Sequence, residues 1–159
     1  MGQMRKFYGK FSLLLLIIAL LFLLYIITPV YVEGTVESKA INGRMSGNIV
    51  KGILSNMPYP GEPWILVEDK DFEQFFSPED RNVFINDSLH ELMDRKYVSI
   101  DYIVAIEVSS EDPLNDVGER ETCAYLTDLE DFNRAKIGDK VLCKVSRFDI
   151  ARIEEITVL

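Results

Sequence analysis

The run from Phe11 to Val32 holds 22 residues without a charge, and Leu13–Ile27 is apolar throughout. At about 1.5 Å per residue, a helix of that length spans ~33 Å, enough for a hydrocarbon core of ~30 Å. Inside a bilayer each backbone N–H must be satisfied within its own segment, so the sequence predicts a transmembrane helix over residues 11–32. Pro29 marks its expected end. Phe7, Tyr8 and Phe11 on one side, with Tyr25 and Tyr31 on the other, fit an interfacial belt.

Arg5, Lys6 and Lys10 precede the run and Glu33 is the first charge after it. The positive-inside rule then makes residues 1–10 a cytoplasmic basic tail and residues 11–32 a single-pass signal anchor. It places residues 33–159 on the extracytoplasmic side. A cleaved signal peptide is the competing reading, but Ile27–Tyr31 offers no pair of small residues for a peptidase. Nor does Gly2 sit in a myristoylation signal, because Lys6 stands where Ser or Thr is preferred.

Three of the 17 basic residues lie before the run, so the remaining residues carry 14 Lys/Arg against 26 Asp/Glu, a net −12. That balance disfavours a phosphate-backbone binder. One His, two Cys and no glycine-rich phosphate loop leave few recognisable enzyme motifs.

The remaining 127 residues read as a β-rich domain, all-β or α+β. Val98, Ile100, Tyr102, Val104, Ile106 and Val108 alternate with polar residues and give the strongest strand signal. Further strands are predicted over Val30–Glu37, Ile49–Leu54, Trp64–Glu68, Arg120–Thr127, Lys140–Phe148 and Ala151–Val158, the last either bulging near Glu154-Glu155 or partly buried on both faces. Capping boxes starting at Ser88 and Thr127 predict two short helices, and the Phe72, Phe75, Phe76 spacing predicts a third. Strand, helix, turn and two strands over residues 120–158, with a first strand at 30–37, resemble part of a five-stranded OB-type barrel. Residues 50–110 would then hold an insertion, or the topology differs, with an open β-sandwich or an α+β sheet as the alternatives.

The chemistry-bearing candidates are few. His90-Glu91-Leu92-Met93-Asp94 departs from the zinc-protease helix signature by one residue, and no second histidine exists. A solvent-facing His90/Asp94 pair explains the same letters. Glu68, Asp69, Asp71 and Glu73 cluster, as do Asp112 with Asp116 and Asp128 with Glu130 and Asp131. None fits a calcium-loop pattern, and solvated acidic faces account for them. Cys123 and Cys143 form either a disulfide or two buried thiols. Arg134, Lys136, Lys140, Lys144, Arg147 and Arg152 make a local basic patch, with Phe132 and Phe148 interleaved. Pairing with the protein's own acids, anionic headgroups or an acidic partner is favoured over nucleic acid. Trp64, beside the Pro58–Pro63 loop, is a candidate partner contact.

These observations favour a non-enzymatic, membrane-anchored protein whose β-domain binds another membrane or envelope protein, with no cofactor and no metal. The alternative is an anchored OB-like module for a small ligand, cation or nucleic acid. OB-fold haem chaperones share the outline, but hold haem through a histidine beyond the barrel, whereas His90 lies in a predicted helix.

Overall fold

The computed structural model describes residues 2–58, 65–77, 80–109 and 118–159, with side chains from Leu14 onward. The chain divides into a first unit ending at Val30 and a second spanning Tyr31–Leu159. Helix α1 (Gly2–Ile27) forms the first. Among the described residues no helix is long and apolar enough to cross a membrane. The expected transmembrane helix over 11–32 is therefore corrected, and with it the signal anchor, the single-pass topology and the extracytoplasmic placement of residues 33–159. The reason lies at both ends of the uncharged run. Arg5, Lys6 and Lys10 fall inside α1, so its charge-free part is Phe11–Ile27, 17 residues or about 25 Å. Beyond Pro29 the backbone extends, and Val30 and Val32 belong to a strand, with Val32 buried in the core of the second unit.

That strand, β1 (Val30–Met45), is twice as long as expected and organises a β-rich domain. β2 (Ile49–Asn56) and β4 (Ser99–Val108) flank it, β3 (Ile65–Val67) lies outside β2, and β5 (Thr122–Thr127) lies outside β4. β6 (Lys140–Val145) pairs with β1 and with β7 (Ile153–Val158). The pairs β1–β2, β1–β4, β2–β3, β4–β5 and β6–β7 are antiparallel. The sheet curls until β5 meets the start of β7 through one parallel bridge, Leu126 with Arg152. Five strands, β1, β4, β5, β7 and β6, thereby ring the core. The other two, β2 and β3, come from the stretch read as an insertion.

Inward residues alternate as pleating demands: Tyr102, Val104, Ile106 and Val108 on β4, and Val141, Cys143 and Val145 on β6 are all buried. Three bulges adjust the registers. Glu37 is the extra residue between Val36 and Ser38 on β1, Ile53 is extra on β2, and Glu154 is extra on β7.

Two short helices close the ends, each capped one or two residues away from the expected position. α2 (Asp87–Lys96) starts at Asn86, whose Oδ1 accepts the Leu89 N–H at 2.9 Å, so Ser88 is already helical. α3 (Leu129–Arg134) is capped by Asp128, which accepts the Asp131 N–H at 2.8 Å, while Thr127 remains in β5. The Phe72–Phe76 segment lies in a 3-10 helix, Lys70–Phe75, that buries Phe72 alone. α3 also covers part of the exposed edge of β7. The Asp131 carboxylate accepts the Ile156 N–H at 2.9 Å, and Arg134 donates to the Ile156 carbonyl at 3.0 Å. Together they stand in for a neighbouring strand.

Lys39 occupies an inward slot of β1 and is 1% exposed. Its Nζ donates to the carbonyls of Val83 (3.1 Å) and Ala135 (2.9 Å) and lies 4.1 Å from the centre of the Phe132 ring. All three ammonium protons thus have an acceptor. Burial pushes the Lys39 pKa down to about 8, against a smaller opposing pull from Asp139. Between about pH 8 and its ordinary 10.5 the unfolded chain holds a proton that the folded one has shed, so stability rises with pH across that window. Urea titrations at pH 7.5 and 10 are expected to show the stability difference between the parent and Lys39→Met widening by about 2 kcal/mol at the higher pH. A constant difference would mean that Lys39 titrates normally.

Candidate functional site

The site grows from the Ile53 bulge. Its carbonyl turns out of the β1–β2 ladder and accepts two N–H groups, from Glu68 (2.9 Å) and Asp69 (3.1 Å). This turn drives the Asp69 side chain inward, where it is 2% exposed. The last residue of α2, Lys96, reaches both Asp69 oxygens at 2.8 and 2.6 Å, and Lys51 on β2 approaches at 3.4 Å. The Tyr97 hydroxyl, just past the helix, donates to the same carboxylate. Lys96 also pairs with Asp71 at 2.5 Å and sits over the faces of Phe72 and Tyr97.

Burial alone would raise the Asp69 pKa, but the donors from Lys96, Tyr97, the Asp71 N–H and Lys51 win and hold it well below the usual carboxylate range. The same contacts raise Lys96, chiefly through its bonds to Asp69 and Asp71, while burial and then Asp69 push Tyr97 up to about 12. Around neutral pH Asp69 and Lys96 are therefore charged and Tyr97 is a neutral donor. The four acidic residues expected to form one solvated face are thus split, with Asp69 locked inside and Glu68, Asp71 and Glu73 exposed.

The network fixes the outer end of the β1–β2 hairpin. The Tyr97 ring packs flat on Gly43, where an added Cβ would stand 2.3 Å from a ring carbon, so no larger residue fits there. Arg44 braces the hairpin from its other face, pairing with Asp101 at 3.0 Å and Asn48 at 2.8 Å. Gly47 and Asn48 take positive φ to close the turn. Past Tyr97 the core ends but the apolar pattern continues. Met45 pairs with Ile49 across the hairpin, and the Val98 N–H donates to the Arg44 carbonyl at 2.8 Å. Met45, Ile49 and Val98 are 41, 62 and 73% exposed. Val98 was expected in the inward set of β4; it continues that row, but beyond the rim of the core.

The residues singled out from the sequence are dispersed. Cys123 is half-buried, Cys143 is buried, and both are free thiols, the second of the two alternatives the sequence leaves open. β5 and β6 are not neighbours in the sheet, since β6 pairs with β1 and β7. Burial, with a smaller push from Asp131, raises the Cys143 thiol to about 12.

The basic patch is largely spent internally. Arg134 binds Glu130 and Asp131, Lys144 binds Glu154 at 2.9 Å, and Arg152 faces Asp149 at 3.5 Å. Lys136 and Lys140 are exposed and Arg147 is half-buried. His90 uses Nδ1 to meet the Tyr102 hydroxyl at 2.8 Å and Nε2 to face Asp94 at 3.4 Å. Among the described residues no group of three or more His, Cys, Asp or Glu could hold a metal ion. Trp64, Asp112 and Asp116 lie outside the described residues.

In comparison with known proteins, no family model, no curated protein and no solved structure matches the chain.

The burial of Asp69 and the exposure of the apolar row are not visible in the sequence pattern. The only hint of the first was the isolated Ile-Leu pair at 53–54, which breaks the alternation of β2 and marks the bulge. Asp69→Asn is expected to cost about 2–3 kcal/mol at pH 7, read as a lower urea midpoint with an unchanged m value. The parent should also lose stability below about pH 4, as Asp69 gives up its advantage on protonation, and the variant should show a shallower acid slope. Thiol labelling at pH 8 should modify Cys123 alone in the folded protein and both cysteines in urea. No labelled thiol in urea would restore the disulfide.

Proposed function

We propose that the β-domain is a non-enzymatic docking module for another protein, with the outer end of the β1–β2 hairpin as a contact. The observation that carries this reading is the row Met45, Ile49 and Val98, three apolar side chains on adjacent backbones, exposed at a rim that a buried ion network holds rigid. Ile49 and Val98 leave most of their surface in water in the free domain and contribute little to its folding, so burial against a partner would account for their apolar character. A rigid mount lowers the ordering cost of association. The three buried charged groups among the described residues are engaged in holding the fold: Lys39 on two carbonyls, Asp69 on Lys96 and Tyr97, and Asp131 on the edge of β7. None of them is presented to a substrate.

The double variant Ile49→Ser/Val98→Ser tests the reading. Both positions are exposed, so stability should stay within about 0.5–1 kcal/mol of the parent. Affinity purification of the tagged full chain at native abundance should recover a stoichiometric partner with the parent and lose it with the variant. Recovery of the parent alone, or equal recovery by both, would sink the assignment.

A further inference from the structure

A second surface lies between residues 82–87 and the start of α3, and its construction is unusual for a loop. The segment Asn82–Asn86 has no regular structure, yet side chains pin it at nearly every residue. Asn82 accepts the Ile137 N–H at 3.0 Å, and the Val83 carbonyl accepts from Lys39. The Asn133 amide grips Ile85 twice, accepting its N–H at 2.8 Å and donating to its carbonyl at 2.7 Å. Asn86 then caps α2.

Val83 and Ile85 point inward, at 2 and 1% exposure. Phe84, in the outward slot between them, is 66% exposed. Phe84 forms one lip of a groove floored by Ile85 and walled by Leu129 and Asn133.

Charge decides what such a groove accepts. The ionisable groups lining it, Asp87 and Glu130, are both acidic. Arg134, beside the groove, is shared between Glu130 (2.7 Å) and the buried Asp131 (2.5 Å), and the exposed Asp128 lies two residues before Glu130. Among the described residues that line the groove, the ionisable ones are thus acidic without exception. Phosphate-bearing polymers and anionic surfaces are repelled by this arrangement, whereas a lysine- or arginine-rich segment is drawn to it.

We propose that the Phe84 groove docks a basic protein segment, taking one apolar side chain between Phe84 and Leu129 while flanking Lys or Arg residues face Asp87 and Glu130. The pinned backbone means the groove exists before its occupant arrives, so little ordering cost remains to be met on binding. Phe84 is the anchor, an aromatic side chain that the free domain leaves in water. The proposal uses a different surface from the hairpin end and stands or falls separately.

Fluorescence anisotropy on the full chain tests it with three labelled twelve-residue peptides. The first carries one leucine flanked by three lysines on each side, the second replaces the lysines with glutamates, and the third replaces the leucine with serine. The lysine–leucine peptide is expected to bind, the glutamate peptide not to bind, and the serine peptide to bind about tenfold more weakly. Phe84→Ser, and separately Asp87→Asn/Glu130→Gln, should each weaken the first peptide about tenfold, and binding should fall steeply as salt is raised.

Ile49→Ser/Val98→Ser should leave the affinity unchanged, which keeps this result distinct from the hairpin test. A melting curve of Phe84→Ser matching the parent shows that its effect is not unfolding. No binding of the lysine–leucine peptide, equal binding of the glutamate or serine peptide, or an unchanged affinity in Phe84→Ser would overturn the proposal.

Discussion

One strand carries this domain. Along one edge β1 pairs with β4 from Gly34 to Arg44, so a single ladder runs nearly its whole length. Along the other edge the partner changes. Val36 exchanges hydrogen bonds with Gly138 and Asp139 at the start of β6, whereas Lys39 onward pairs with β2. A strand that changes partner leaves a break where two sheet edges diverge, and the backbone on either side must be held by something else. Lys39 stands at that break. Its ammonium reaches into the gap and ties down Val83 and Ala135, one from each segment crossing it. The bulge at Glu37 sets this up, because one extra residue turns Lys39 inward.

A second pattern follows from the first. Irregular backbone in this fold is held by buried charge or by side-chain amides rather than by more sheet. Lys39 fills the break beside β1, Asp69 gathers Lys51, Lys96 and Tyr97 under the hairpin, and Asp131 with Arg134 supplies a surrogate edge to β7. Removing one member of such a group leaves the others desolvated without a partner, which costs more than the intact pair is worth. The buried charges therefore act as specificity devices that hold the loops in one arrangement.

Much of this architecture was legible in the sequence and some was not, for identifiable reasons. Alternation placed β4 and β6, because their inward slots are uniformly apolar. The spacing of Ile153 and Ile156 signalled the Glu154 bulge, because two apolar residues three apart cannot share a face of a regular strand. Alternation failed for β1 beyond Glu37, where Lys39 and Gly43 occupy inward slots that the pattern reads as polar or empty. Gly43 is needed there because Tyr97 occupies the space a side chain would fill. The helix starts were displaced because Asn86 and Asp128 are also good caps and the chain enters each helix from an extended segment that suits them. The uncharged N-terminal run was read as one membrane-crossing element, yet it is divided between α1 and the start of β1 at Pro29, since apolar letters alone do not distinguish a helix from a buried strand. The candidate surfaces were the least visible part. Val98 and Phe84 look like ordinary strand residues until the rim of the core is known.

Met45, Ile49 and Val98 sit at the end of a hairpin whose position is fixed from beneath by Asp69 and from its other face by Arg44 and Asp101. Phe84 sits in a segment clamped by Asn82, Asn133 and Asn86. In both places the fold uses hydrogen bonds and ion pairs to hold backbone that apolar burial does not hold, and the apolar side chains are turned outward. A loop of Ser or Lys on the same clamps would satisfy every internal requirement equally well. On the proposed reading, outward apolar residues at these two fixed positions serve a partner, and rigidity of the mount is what lets few of them suffice.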